Sequence, residues 1–184
     1  MLARLSPSAS RLAPLGSRWA SSSAAVESPV KLTRLAGGVV QVTLGRPSKM
    51  NALSLPMFRG IQAAARELIA DSSVRAVVVH GEGRAFCAGL DVKAVMANPL
   101  SAQANIEELL ERPDGEISNL AQDVGYLWRR VPAPVIAAVH GVCFGGGLQI
   151  ALGADMRVAA PSTRFSIMEA KWGTLPPLTT ELLP

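Results

Sequence analysis

The amino-acid sequence predicts an α/β fold in which parallel strands are joined by crossover helices. Two short apolar runs, residues 74–80 (VRAVVVH) and 134–139 (PVIAAV), each run into a glycine-containing turn. A stretch with helical period lies ahead of the first run, and two more helical pieces lie between the runs. Segment types therefore follow the order β, α, β, α, α, β, α, β, in which parallel neighbours need helical connections.

The globular pattern starts at Val30. Residues 35–47 (LAGGVVQVTLGRP) read as a two-strand start, with the β-formers Val39, Val40, Val42 and Leu44 bounded by Gly37-Gly38 and Gly45-Arg46-Pro47. Over residues 55–71 the period changes: Met57, Ile61, Ala64, Ala65, Leu68 and Ile69 fall on one helical face, and Pro56 suits a first turn. Residues 74–80 read as a buried parallel strand. Residues 94–131 are helical in two pieces, broken by Arg112-Pro113-Asp114-Gly115. Residues 134–139 give a second buried strand, followed by the turn HGVCFGGG and a small-residue helix, LQIALGA. Residues 157–159 and 164–166 suggest further short strands. No internal sequence repeat is visible.

Composition narrows the class. With 184 residues, 49% hydrophobic and 17% charged, the chain suits one folded domain and excludes a collagen-like, disulfide-stapled or disordered polypeptide. Its formal charge of +4 is misleading as a pointer to nucleic acid. Arg4, Arg11 and Arg18 precede the first acid, Glu27, and without them 15 basic residues face 14 acidic ones. Cys87 and Cys143 sit among Ala, Gly and Phe with no CxxC or Cys/His spacing, so they read as buried thiols, and no metal site is expected. Trp19, Trp128 and Trp172 are too dispersed for a stacking platform. His80 and His140 end strands without a Ser/Asp partner at recognisable spacing, and are expected to be satisfied by local backbone groups.

Residues 1–26 carry spaced arginines, many Ser and Ala, and no acid, the composition of an organellar presequence. The apolar residues are scattered, unlike a secretory core or a membrane span of about 20 apolar residues. The expectation is mitochondrial import to the matrix, cleavage near Ala20 to Ala25, and a domain over residues 30–184.

Chemistry points to two places where an apolar strand enters a glycine turn and then a helix: residues 77–93 (VVVHGEGRAFCAGLDVK) and 135–155 (VIAAVHGVCFGGGLQIALGAD). Amides at such junctions lack intrahelical partners, and glycine lets a ligand oxygen approach the main chain. Each junction could donate to a developing negative charge, although close helix–strand packing would use the same glycines. No GxxxxGK[ST] occurs and no GxGxxG follows either strand, which disfavours P-loop and dinucleotide sites.

These segments resemble the crotonase superfamily of enoyl-CoA hydratases and isomerases. The resemblance rests on GRPSKMNALS (45–54), AFCAGLDVK (85–93), AAVHGVCFGGGLQIALGADMRVAA (137–160) and FSIMEAKWG (165–173), in the family's order and spacing over about residues 30–173. It implies a crotonase-like spiral of ββα units around an acyl-CoA thioester, with no cofactor beyond the coenzyme A of the substrate. Assembly as a homotrimer or a hexamer is implied too, with no nucleic acid and no membrane span. By position, the oxyanion hole falls on the backbone N–H groups of Leu90 and Gly146. Ala88, Leu90, Asp91, Val92, Lys93, Gly146 and Gln149 form the implied substrate-binding set. Lys93 either reaches phosphate or is a solvated surface lysine, and residues 48–53 run along the adenosine side.

The resemblance also fixes an acid–base question. Hydratases of the family use two glutamates; here the first position is Gln149, whose amide cannot accept and return a proton at neutral pH, and the second is Glu169. The apolar Ile/Met/Trp setting of Glu169 is expected to raise its pKa by desolvation, the other reading being a surface glutamate paired with Lys171. One carboxylate suffices to move a double bond, which favours an isomerase of fatty-acid β-oxidation over a hydratase. Pro177 stands where dienoyl isomerases often carry Asp. The alternative is a catalytically silent acyl-CoA binder or subunit partner. After Gly173 the text TLPPLTTELLP departs from the motifs. The resemblance then implies a truncated member lacking the C-terminal helical part, marginally stable and poorly trimeric.

Overall fold

A computed structural model describes residues 28–171. The expected presequence at residues 1–26, Trp172, Pro177 and residues 174–184 lie outside the described residues.

Four strands of one sheet run parallel and a fifth closes its edge. Val30–Arg34 (β1) pairs antiparallel with Val39–Leu44 (β2). Then β2 pairs parallel with Ala76–Gly81 (β3), β3 with Val135–Val139 (β4), and β4 with Met156–Ala159 (β6). The strand order is β1-β2-β3-β4-β6. A second, two-stranded parallel sheet joins Val142–Phe144 (β5) to Arg164–Ser166 (β7), and an isolated parallel bridge ties Cys87 to Cys143 at its margin.

The helices are Leu55–Ala70 (α1), Val92–Val95 (α2), Pro99–Leu110 (α3), Leu120–Tyr126 (α4), Gly146–Gly153 (α5) and Met168–Lys171 (α6). Chain order now shows an architectural repeat that the sequence hides: β4-β5-α5 and β6-β7-α6 are successive strand–strand–helix units, each with its first strand in the larger sheet and its second in the smaller one. Neighbouring units stack strand beside parallel strand, so the sequences need share only a polarity pattern, not residues. The short β5 falls in the stretch whose sequence reads as a turn, because three residues flanked by glycines carry no period.

Helix α1 buries Met57, Phe58, Ile61, Ala64, Ala65 and Leu68. Phe58 joins the face expected from the period, while Ile69 is only half-buried. Helix α4 starts at a reciprocal cap: Asn119 Oδ1 accepts from Gln122 N (3.0 Å), and Asn119 N donates to Gln122 Oε1 (2.9 Å). It runs into a tighter turn at Leu127–Arg130, where Trp128 is buried and donates Nε1–H to Val124 O (2.7 Å).

The two apolar runs are not buried on both faces. Val77, Val79, Val135, Ala137 and Val139 are buried, whereas Val78, His80, Ile136 and Ala138 are half-exposed. The helices cover one face; the other carries a polar cluster. On it His80 Nε2 lies 2.6 Å from Gln41 Nε2 and 2.9 Å from Thr43 Oγ1, so side chains, more than the backbone, hold this ring. His140 Nε2 contacts Gly83 O at 2.9 Å, a backbone partner as expected but one from the distant first glycine loop and not a local one. Among the described residues no helix is long and apolar enough to cross a membrane.

Candidate active site

Residues 46–54 form the seat of the first glycine loop. Asn51 is fully buried and holds the left-handed conformation (φ 55°). Its Oδ1 accepts from Arg46 N (2.8 Å), and its Nδ2 donates to Glu82 O (2.9 Å) and Ala85 O (2.8 Å), fastening the 46–51 turn to the 82–85 loop with one side chain. The main chain continues this seam: Ala88 N donates to Met50 O (2.9 Å), Leu53 N to Gly89 O (2.8 Å) and Asp91 N to Leu53 O (3.0 Å). In such a parallel bridge the partner residue between the two bonds turns its own N–H and C=O the other way. Leu90 is that residue. Its amide points away from Leu53 and is given no backbone acceptor among the described residues.

The second loop is laid directly against the first. Cys87 N donates to Val142 O (3.1 Å) and Phe144 N to Cys87 O (3.0 Å). A Cβ on Gly89 would fall 2.8 Å from Phe144 O and 3.6 Å from Gly146 N, so only glycine permits this approach. Gly145 turns the chain with φ 48° while donating its N–H to Ser166 O (2.9 Å). Gly146 then opens α5, a position whose amide has no intrahelical acceptor.

Leu90, Gly146 and Glu169 therefore line the same space. One cavity of about 470 Å³ has a largely apolar wall, including Leu53, Phe58, Val95, Met96, Leu109 and Val124, with Gln149 and Glu169 as its polar groups. A cleft of about 440 Å³ shares Leu90, Val92, Gly146 and Glu169 and adds Ala88, Gly89, Gly145 and Met168. A shallower one of about 340 Å³ leads outward past Ala88, Asp91 and Lys93 to Ser48 and Lys49. These volumes suit a small-molecule site with few polar anchors.

Every residue of the expected set borders this connected space, with two refinements. The Asp91 carboxylate faces protein: Oδ2 pairs with Arg46 Nη2 at 3.0 Å and Oδ1 accepts from Ala94 N at 3.1 Å, capping α2. Gln149 is 4% exposed, and its Oε1 has no hydrogen-bond partner among the described residues. A buried acceptor left so costs about 1–3 kcal/mol, which a donor entering the cavity would recover.

Sequence reasoning put residues 48–53 on the adenosine side but gave Arg46 and Asn51 no role in holding the first loop. Their signal was present as an Arg-Pro turn and an Asn in a polar stretch, but the long-range bonds that give those residues meaning have no local signature. It also missed the apolar wall from α1, α3 and α4, which reads as ordinary helix core.

Cys87 and Cys143 are wholly buried free thiols beneath the two loops. Burial pushes both up to about 12, far from thiolate at neutral pH. A separate cleft beside α1, α3 and α4 is filled by paired groups: Arg59 with Glu108 (2.6 Å), and buried Asp123, which accepts from Gln62 Nε2 (2.7 Å) and Ser118 Oγ. Among the described residues no group of three His, Cys, Asp or Glu could hold a metal ion.

Comparison with known proteins gives the arrangement its context. The family model described as enoyl-CoA hydratase/isomerase matches residues 39–182, running past Gly173, where the sequence motifs stop. The enoyl-CoA hydratase EchA19 of Mycobacterium tuberculosis is 37% identical over 154 residues, covering 83% of this chain and 55% of that protein. The mitochondrial Delta(3,5)-Delta(2,4)-dienoyl-CoA isomerase of Homo sapiens is 31% identical over 144 residues, covering 78% and 44% respectively. The crystal structure of an enoyl-CoA hydratase from Mycobacterium smegmatis aligns with a TM-score of 0.68 at 35% identity, over 82% of this chain and 55% of that one. The chain spans about half the length of the curated relatives it matches. By its fold and the extent of that match, the chain belongs to the enoyl-CoA hydratase/isomerase family of the crotonase superfamily.

Proposed function

We propose that the chain binds an unsaturated acyl-CoA thioester and shifts its double bond. The observation that carries this reading is the convergence of the Leu90 and Gly146 loops and the Glu169 carboxylate on one apolar cavity. The Leu90 and Gly146 amides donate to the thioester oxygen, so that negative charge can rest there when a proton leaves the α-carbon; one such donor is worth roughly 2.7–4 kcal/mol in the transition state. The Glu169 carboxylate takes that proton and returns it to the γ-carbon, moving the double bond into conjugation with no net gain or loss of atoms. Gln149, an amide, positions without exchanging a proton, which is why isomerisation is favoured over hydration. Lys49 and Lys93, on the outward cleft, lie where they can meet the coenzyme's phosphates.

The proposed setting is fatty-acid β-oxidation in the mitochondrial matrix. It is supported by the arginine-spaced, acid-free stretch at residues 1–26. The proposed assembly is a homotrimer or hexamer, as the family resemblance implies.

The test is a panel of 2-enoyl, 3-enoyl and 3,5-dienoyl thioesters. The 3-enoyl or 3,5-dienoyl substrate should be converted, and Glu169→Gln should abolish turnover while acyl-CoA still binds by calorimetry. Binding without turnover in the unsubstituted protein would select a silent acyl-CoA binder instead, and unchanged turnover in Glu169→Gln would defeat the mechanism.

A further inference from the structure

The hydrogen bonds behind the first loop form a continuous line of peptide groups. The Arg46 guanidinium donates Nη1–H to Ala52 O. The Ala52 carbonyl shares its peptide plane with the Leu53 N–H, which donates to Gly89 O at 2.8 Å. The Gly89 carbonyl shares its plane with the Leu90 N–H. In a trans peptide the N–H points opposite the C=O, so each plane hands its orientation to the next. The line begins at a cation and ends at the Leu90 amide, which turns away from Leu53 on a residue that lines the cavity.

We infer that Arg46 is a positioning residue for the reaction: through the Ala52–Leu53 and Gly89–Leu90 peptide groups it aims the Leu90 N–H at the substrate oxygen and strengthens it as a donor. This rests on the reading of Leu90 as a donor to the thioester. Two features make the line fit for that work. The guanidinium is itself fixed, since its other nitrogen pairs with Asp91 at 3.0 Å, both side chains being largely buried (22% and 14% exposed). Asp91 in turn follows Leu90 directly and caps α2, so the planar fork grips the chain on both sides of the loop, which a lysine ammonium does not do. Aligned hydrogen bonds also polarise one another, and a charged donor at the head of the line pulls electron density along it. Asn51 Oδ1 holds the Arg46 backbone at 2.8 Å, tying the origin of the line to the loop's other anchor.

The carbonyl stretch of a bound thioester reads the outcome directly, because the stretch falls in frequency as the oxygen accepts stronger hydrogen bonds. A saturated acyl-CoA labelled with ¹³C at the thioester carbonyl is bound to the full chain and to Arg46→Met. Its isotope-edited infrared shift, its affinity and the isomerase kcat are then measured. The expected result is a carbonyl shift reduced to about half, as for loss of one of two donors. With it, kcat should fall about 100- to 1,000-fold, in the range of a misplaced or lost donor, and affinity should change less than about threefold. Arg46→Lys keeps the charge without the fork and should give a shift between the two, which is the decisive measurement if Arg46→Met does not fold. A full unsubstituted-protein shift in either variant overturns the inference, as does a loss of kcat matched by an equal loss of affinity. If the unsubstituted protein binds the thioester with no carbonyl shift at all, the reading of the site itself fails, and the positioning function of Arg46 with it.

Discussion

Replacing Gly147 by alanine tests how closely the two loops must lie. A Cβ there would sit 2.5 Å from Cys87 O and 2.7 Å from Cys87 Cβ. Neither atom can swing aside, because Cys87 is held on both flanks by its bonds to Val142 and Phe144. Restoring an ordinary contact of about 3.4 Å requires α5 and the first loop to part by about 0.9 Å. Over-packing of this kind typically costs about 1–3 kcal/mol, which lowers the melting temperature by several degrees for a domain of this size. The same displacement carries the Gly146 amide away from the Leu90 amide, and a misplacement near 1 Å can cost about 100-fold in rate. Gly146→Ala is the internal comparison: its Cβ meets only the Leu53 side chain, Cδ1 at 2.6 Å and Cγ at 3.9 Å, whose end can turn toward the cavity that it lines, whereas main chain cannot. Thermal unfolding of both variants, with kcat for Gly147→Ala on a 3-enoyl thioester, is the assay. Unsubstituted kcat and melting in Gly147→Ala, or a larger loss of stability in Gly146→Ala, would refute the reasoning.

Two further outcomes are expected. Because burial holds the Cys87 and Cys143 thiols up at about 12, the native protein at pH 8 should react with iodoacetamide only as fast as it opens. Mass spectrometry showing modification of either thiol in folded protein faster than amide exchange of the core would contradict this. Asp71 accepts from Ser73 and pairs with Arg34, which lowers its pKa to about 2 from an ordinary 3.8. A depressed carboxylate contributes stability that is present above about pH 4 and is lost as pH falls toward 2. Asp71→Asn should therefore flatten the acid limb of a stability–pH curve in that window and leave its shape above pH 5 unaltered, as read by urea melts.

Local pattern carried much of the fold. The face of α1 was legible because six residues repeat at helical spacing, and the break between α3 and α4 because Arg112-Pro113 cannot continue a helix. The two strand-to-glycine junctions pointed to the site for a chemical reason, namely free amides beside residues without side chains. What stayed hidden is long-range. The one-sided burial of β3 and β4 depends on which helices cover the sheet, and a run such as VVV looks the same with one face covered or two. Asn51 looks like a loop asparagine until residues 82 and 85 arrive beside it. Arg46 looks like half of an Arg-Pro turn until Ala52 and Asp91 supply its acceptors. The likeness between successive strand–strand–helix units is invisible for the same reason, since stacking constrains geometry and leaves residue identity free.

The stacking of parallel units also bears on how the chain reaches its native state. Val40 meets Val77 and Val77 meets Val135, so each new strand must close a wide stretch of chain before any ladder bond rewards it. The amides of Leu90 and Gly146 are brought together only when the last of those closures is made. Folding of this topology is accordingly slow for its size, and the binding cavity is among the last features to mature. A partly folded chain therefore displays unsatisfied strand edges before it can hold a ligand.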